Sequence, residues 1–216
     1  MSYSSLWTIN NEFDGKEEEV FQNSWLFAPI VMDALYCKYL PNKATFTKEG
    51  EKSGFILDNM HDNSLWYELR DSIFNKENTI DCMMWNIIEE SLFFIQNKNF
   101  VADSIEKFKN DNADYFSSRG ELVLERFEEV ISSIRNIGEE NLAFAFKCTS
   151  CDDGVENWFE IWDDDKDDCI DITLDKQDTV VASFVFIEND RIKGYATNLM
   201  FFENKEFYLE ELKKMN

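Results

Sequence analysis

Cys148-Thr149-Ser150-Cys151 places two thiols three residues apart, the spacing used by zinc ribbons and by redox dithiols. A structural zinc site needs four ligands, and the chain offers neither a second Cys-x-x-Cys nor a pair of histidines, since His61 is its only one. A redox dithiol wants its thiolate stabilised at the start of a helix, whereas Asp152 and Asp153 follow at once and disfavour the anion. The pair reads as two ordinary cysteines at the end of a strand.

Asp163-Asp164-Asp165-Lys166-Asp167-Asp168 sets out carboxylates as an EF-hand loop begins. The match then fails: the glycine position is Asp168, and the twelfth position, where a bidentate Glu belongs, is Leu174. Two-metal chemistry needs carboxylates converging from separate elements, not one run in a loop. His61, in Met60-His61-Asp62-Asn63, is the sole candidate for histidine acid-base work and lies at a polar entry to a helix. No G-x-S-x-G, P-loop or G-x-G-x-x-G is present, and seven scattered glycines build no loop that cradles phosphates. We expect no catalytic residue, no metal and no cofactor.

What survives is a surface. Of 216 residues, 44 are Asp or Glu and 21 Lys or Arg, a net charge of −23. Asp152 to Asp178 holds twelve acids and two bases, Lys166 and Lys176. Such a field acts on solubility and partner choice rather than on fold, and it excludes nucleic acid as a direct ligand. Trp158, Phe159 and Trp162 are interleaved with Glu156, Glu160 and Asp163. Aromatic rings among carboxylates resemble interface anchors with a steering rim, or else they fill a core beneath an acidic surface. The expected partner-facing set is Asp152, Asp153, Glu156, Trp158, Glu160, Trp162, Asp163, Asp164, Asp165, Asp167 and Asp168.

The elements that position this segment divide by period. With 44% hydrophobic residues and twenty Phe, the chain is a folded body rather than an acidic tail. Two prolines and few glycines mark no linker, so residues 1–216 read as one domain, with a division at 1–140 and 141–216 as the alternative. Helices are expected over Pro29–Leu40, Asn63–Phe74, Thr79–Glu90, Asn99–Asn110 and Ser118–Ile137. The last has Ser118 and Glu121 as a capping box and Val123, Phe127, Val130 and Ile134 as its stripe. Strands are expected over Leu142–Lys147, Cys169–Leu174, Val180–Ile187 and Ile192–Phe201, with a hairpin turn at Glu188-Asn189-Asp190. A further strand near Trp7 and Ile9, an ambiguous Leu92–Ile95 and a terminal helix from Lys205 complete the reading. The expected class is α+β: a mainly helical N-terminal two thirds packed on a C-terminal antiparallel β-sheet.

No basic-then-apolar leader is visible, and the longest apolar run, Trp25 to Met32, is too short for a bilayer span. Five irregularly spaced cysteines suit a reducing compartment, so a cytoplasmic protein without membrane contact is expected. Abundant Asn, Lys, Ile and Phe point to an AT-rich genome, as in a low-GC bacterium or its phage. Charge and size together suggest an inhibitor or decoy that occupies the basic channel of a nuclease or other nucleic-acid enzyme. Phage anti-restriction and anti-CRISPR proteins provide an analogy of charge and size, not of sequence. The alternatives are an immunity protein or antitoxin for a cationic toxin, and a small-ligand binder or enzyme whose charge serves solubility.

Overall fold

Ala143-Phe144-Ala145-Phe146-Lys147 is buried at every position, which places this strand inside a sheet covered on both faces. The computed structural model describes residues 2–41, 45–46, 52–53, 63–149 and 154–215. His61, Cys151, Asp152 and Asp153 lie outside the described residues.

The elements in chain order are β1 (Tyr3–Ile9), β2 (Gly15–Gln22), α1 (Ala28–Tyr39), β3 (Thr45–Phe46) and β4 (Lys52–Ser53). There follow α2 (Asn63–Phe74), α3 (Thr79–Ile88), β5 (Leu92–Phe94), α4 (Lys98–Asp111), α5 (Ala113–Arg119) and α6 (Glu121–Asn136). The chain ends with β6 (Ala143–Lys147), β7 (Glu160–Asp163), β8 (Asp168–Asp171), β9 (Ser183–Glu188), β10 (Arg191–Thr197), α7 (Asn198–Glu203) and α8 (Lys205–Lys214). The fold is α+β, with helices concentrated in the N-terminal part.

The main sheet has the order β10-β9-β5-β6-β1-β2. Every pairing is antiparallel except β5 with β9, which run parallel. The sheet is mostly antiparallel, as expected, with one parallel pair; β1 is the strand expected near Trp7 and Ile9, β5 resolves the ambiguous Leu92–Ile95 as a strand, and β2 is an addition from the N-terminal part. Strand β2, Gly15–Gln22, gave no sequence signal because it is an edge with an exposed acidic run, Glu17 to Glu19, and only Phe21 buried. Charged edges of this kind block pairing with another chain.

Alternation along the central strands separates two cores. Phe93, Phe144, Phe146, Val185 and Ile187 face α1 to α6, whose buried stripes include Trp85, Ile105 and Phe127. Leu92, Phe94, Ala143, Ala145, Phe184 and Phe186 face the opposite way. They pack there against Val155, Trp158, Leu174, Phe201 of α7 and Leu212 of α8.

Several boundaries differ from expectation for local reasons. The helix expected over Ser118–Ile137 is broken at Gly120, whose φ of 116° suits glycine. Ser118 donates to the Tyr115 carbonyl at 2.7 Å, so no capping box forms. Helix α4 begins at Lys98, one residue before Asn99. The Ile192–Phe201 run ends as a strand at Thr197, whose hydroxyl accepts from the Met200 N–H at 3.3 Å and caps α7. Asn189 and Asp190, at φ 49° and 57°, form the expected tight turn between β9 and β10.

Candidate functional site

The acidic segment forms a sheet of its own. Strands β7 and β8 pair antiparallel, with Glu160 opposite Asp171, Ile161 opposite Ile170, Trp162 opposite Cys169 and Asp163 opposite Asp168. The Cys169–Leu174 run was expected among consecutive strands of one sheet, and this separate hairpin corrects that. Two of the four cross-strand pairs set carboxylate against carboxylate, an arrangement that costs stability.

Local bonds hold the hairpin despite that repulsion. Asp163 Oδ1 accepts from the Asp165 and Lys166 N–H groups at 3.0 and 3.3 Å, closing the turn, and its Oδ2 lies 3.4 Å from Lys166 Nζ. Asp167 takes a φ of 53°, which Asp tolerates. At the base, Gln177 Nε2 donates to the carbonyls of Asn157, Trp158 and Glu160 at 3.3, 2.9 and 3.1 Å. Phe159 stacks on Trp7 with centroids 5.8 Å apart, and a Cβ on Gly15 would lie 2.2 Å from the Phe159 ring. That close approach requires glycine at position 15.

The predicted partner-facing residues separate on this frame. Glu160, Asp164, Asp165, Asp167 and Asp168 are exposed, and Trp162 is 56% exposed with its indole N–H donating to Asp164 Oδ1 at 3.1 Å. Asp163 is half-buried and serves the turn. Trp158 is only 4% exposed and packs in the second core, so the expectation of a surface ring is corrected for it. Asp152 and Asp153 are not described.

Glu156 also has a structural task. It pairs with Lys147, a 2% exposed ammonium at the end of β6 that lies 5.1 Å over the Tyr3 ring. Glu156→Gln leaves that buried cation without its carboxylate and should destabilise by about 1–3 kcal/mol, less than a wholly buried pair because Glu156 reaches solvent. Lys147→Met in the same background should recover most of the loss. Urea unfolding of the single and double variants measures both, and an unchanged midpoint for Glu156→Gln would refute the assignment.

Cys148, expected at a strand end, follows β6 directly. Its Sγ is buried 3.3 Å from the Ile87 carbonyl and its N–H donates to Glu90 Oε1 at 2.8 Å. Among the described residues no group of three His, Cys, Asp or Glu side chains could hold a metal ion, and no helix is long and apolar enough to cross a membrane.

A cleft of about 600 Å³ opens where α2 and α3 meet one end of strands β5, β9 and β10. Arg70, Asp71 and Phe74 line it from α2, Asn86 from α3, Glu89 and Ser91 from just past its end, and Tyr195 from β10, with residues 180–183 forming the remaining wall. Asn86, 2% exposed, donates to the Cys82 carbonyl at 2.7 Å and to the Tyr195 hydroxyl at 3.1 Å, and accepts from Ser91 Oγ at 3.3 Å. Asn198, fully buried, holds the wall by donating to the Thr179 carbonyl at 2.9 Å and accepting from the Val181 N–H at 3.0 Å. Sequence reasoning missed this cleft. The one available signal was a polar Asn86 inside the apolar run Met83-Met84-Trp85-Asn86-Ile87-Ile88.

Three weak acids hold their protons tightly: Tyr195 in the cleft, Cys82 one turn before Asn86 on α3, and Tyr39 at the end of α1. Burial, opposed by the Asn86 hydrogen bond, pushes the Tyr195 phenol up to about 12. Burial and then Asp81 push the Cys82 thiol up to about 11. Burial also raises the Tyr39 phenol, which donates to the buried Asp81 at 2.6 Å, where Lys38 Nζ lies at 2.5 Å. The unfolded groups ionise at their ordinary values, 9.0 for the thiol and 10.0 for the phenols. Above those values the unfolded chain has lost protons that the folded chain keeps. The stabilisation is therefore complete below pH about 9 and is lost as pH rises through the folded values. The urea midpoint should fall steadily between pH about 9 and about 11, and a flat midpoint over that window contradicts the assignment.

No family model, curated protein or solved structure matches the chain.

Proposed function

We propose that this chain is an acidic protein inhibitor that docks its β7–β8 hairpin on the basic nucleic-acid-binding surface of a nuclease or other nucleic-acid enzyme. The observation that carries the reading is Trp162, an exposed ring on a hairpin whose turn and flanks present Asp164, Asp165, Asp167 and Asp168 to solvent. Carboxylates on the hairpin occupy the places of phosphates and meet the lysines and arginines that otherwise contact the nucleic-acid backbone. They accelerate encounter, and the indole supplies a desolvated anchor once contact is made. The hairpin keeps like charges face to face at a cost in stability, which accords with a surface shaped for binding. The biological setting that suits this physics is anti-defence activity of a phage, by restriction or CRISPR inhibition, in a bacterial cytoplasm.

An immunity protein directed at one cationic toxin would use the same face, and the identity of the partner separates the two. The test is capture of partners on the immobilised full chain at low salt, followed by elution with duplex nucleic acid. A basic nucleic-acid enzyme that is released by the duplex, and whose activity the chain blocks, is the expected result. A retained toxin with no nucleic-acid surface selects the immunity reading. Retention that neither salt nor nucleic acid reverses, and that survives neutralisation of the hairpin, refutes both.

A further inference from the structure

We propose that the cleft between α2, α3 and β10 is a receptor for an organic cation, an ammonium or guanidinium group on an apolar stem. The inference rests on the cleft alone and is independent of the hairpin.

Its walls combine the two features that recognise such a group. Phe74 and Tyr195 provide aromatic surface, their rings packed edge to face with centroids 6.4 Å apart, and aromatic faces attract cations, most strongly where water is partly excluded. Asp71 and Glu89 provide charge. Glu89 Oε1 accepts from the Trp66 indole at 3.2 Å, and Asp71 Oδ1 accepts both Nε and Nη2 of Arg70 at 3.2 and 3.1 Å. The second oxygen of each carboxylate, Glu89 Oε2 and Asp71 Oδ2, has no hydrogen bond or ion pair among the described residues.

Arg70 does not reverse this preference. Its guanidinium is engaged by Asp71 and lies 5.0 Å over the Tyr67 ring, so the ionic lining has one carboxylate in excess within a chain of net charge −23. An anionic ligand would have to enter against that field.

The floor adds an orienting group. Asn86 uses both polar atoms inside the protein and donates to the Tyr195 hydroxyl. The hydroxyl oxygen is thus an acceptor in that bond, and its own proton has no acceptor among the described residues. That proton is available to a ligand carbonyl beside the cation. A basic amino-acid residue carries both parts. A free amine carries only the first.

The test titrates three probes into the full chain: N-acetyl-L-arginine amide, agmatine, and N-acetyl-L-citrulline amide, in which a neutral ureido group replaces the guanidinium. The Asn86 side-chain amide is followed by two-dimensional NMR. The expected result is saturable binding of the arginine probe, with a dissociation constant on the order of 1 mM, and binding of the citrulline probe about tenfold weaker. Equal response to agmatine assigns the site to free amines and guanidines, whereas response to acetylated arginine alone assigns it to a basic side chain carried on a peptide.

Asp71 and Glu89 are both exposed, so the Asp71→Asn, Glu89→Gln double variant folds, and it should bind the arginine probe about tenfold more weakly. A variant with a neutralised hairpin turn should bind it as the native chain does, which keeps this result separate from the fate of the hairpin. Citrulline binding as tight as arginine, or no saturable shift with either cation, overturns the proposal.

Discussion

Replacing Asp164, Asp165, Asp167 and Asp168 together by Asn should leave the fold in place and slow association with the proposed basic partner by about tenfold to hundredfold at low salt. Those four carboxylates are exposed and carry no buried neighbour with them. Asp163 is kept because its carboxylate closes the turn through the Asp165 and Lys166 N–H groups. Removing Asp168 also relieves its repulsion with Asp163 directly across the hairpin, so melting temperature should hold or rise slightly. Steering acts before contact and is screened within about 10 Å at moderate salt, so the difference between native and variant rates should shrink as salt is added.

Trp162→Ala acts on the other rate. The indole is 56% exposed in the free chain; in the proposed complex it would be buried, so truncation should leave a void and raise the dissociation rate about tenfold while association is nearly unchanged. Surface plasmon resonance across a salt series separates the two constants. If both variants bind and inhibit as the native chain does at every salt concentration, the hairpin is not the contact.

How much of this was legible beforehand can be read from Trp158 and Trp162. Had residues 155–163 been one strand, positions 158, 160 and 162 would share a face and both rings would be inside or outside together. Instead Val155–Phe159 is a 3-10 turn and the strand begins at Glu160, so the period changes between the two rings. One enters the core and the other reaches solvent. Periodicity over so short a window cannot locate such a change.

The helices were legible because their burial is one-sided over several turns. In α6 the stripe of Val123, Phe127, Val130 and Ile134 is wholly buried, as expected from the sequence. Strand β2 was not legible because its side chains mostly face solvent and its identity comes from backbone pairing with β1. The cleft was invisible for a third reason. Arg70 and Asn86 lie on successive helices, but Tyr195 comes from β10, 109 residues beyond Asn86, and the β5–β9 parallel pairing, which requires a long crossover, carries the β9–β10 hairpin back to them.

The second core should be the more fragile to truncation at Phe201. This ring is fully buried in α7, stacked on Phe184 with centroids 4.1 Å apart and on Tyr208 at 5.6 Å, with Phe94 at 5.9 Å. Helix α7 has six residues, too few to persist by propensity, so its place depends on what it packs against. Phe201→Ala removes the ring from the centre of that cluster, and rigid neighbours on β5 and β9 can collapse into the space only in part. The expected loss is about 3–5 kcal/mol, or a fall in melting temperature of about 6–20 °C for a chain of this size. Phe201→Leu keeps most of the volume and should lose less than half as much. Phe207→Ala is the matched control on α8: that ring is 59% exposed, and its removal should stay within about 0.5 kcal/mol. Calorimetric unfolding of the three variants measures the contrast. A Phe201→Ala chain that melts with the Phe207→Ala control would mean that α7 is not held by this ring and that the layer over Phe94, Phe184 and Phe186 is secured from elsewhere.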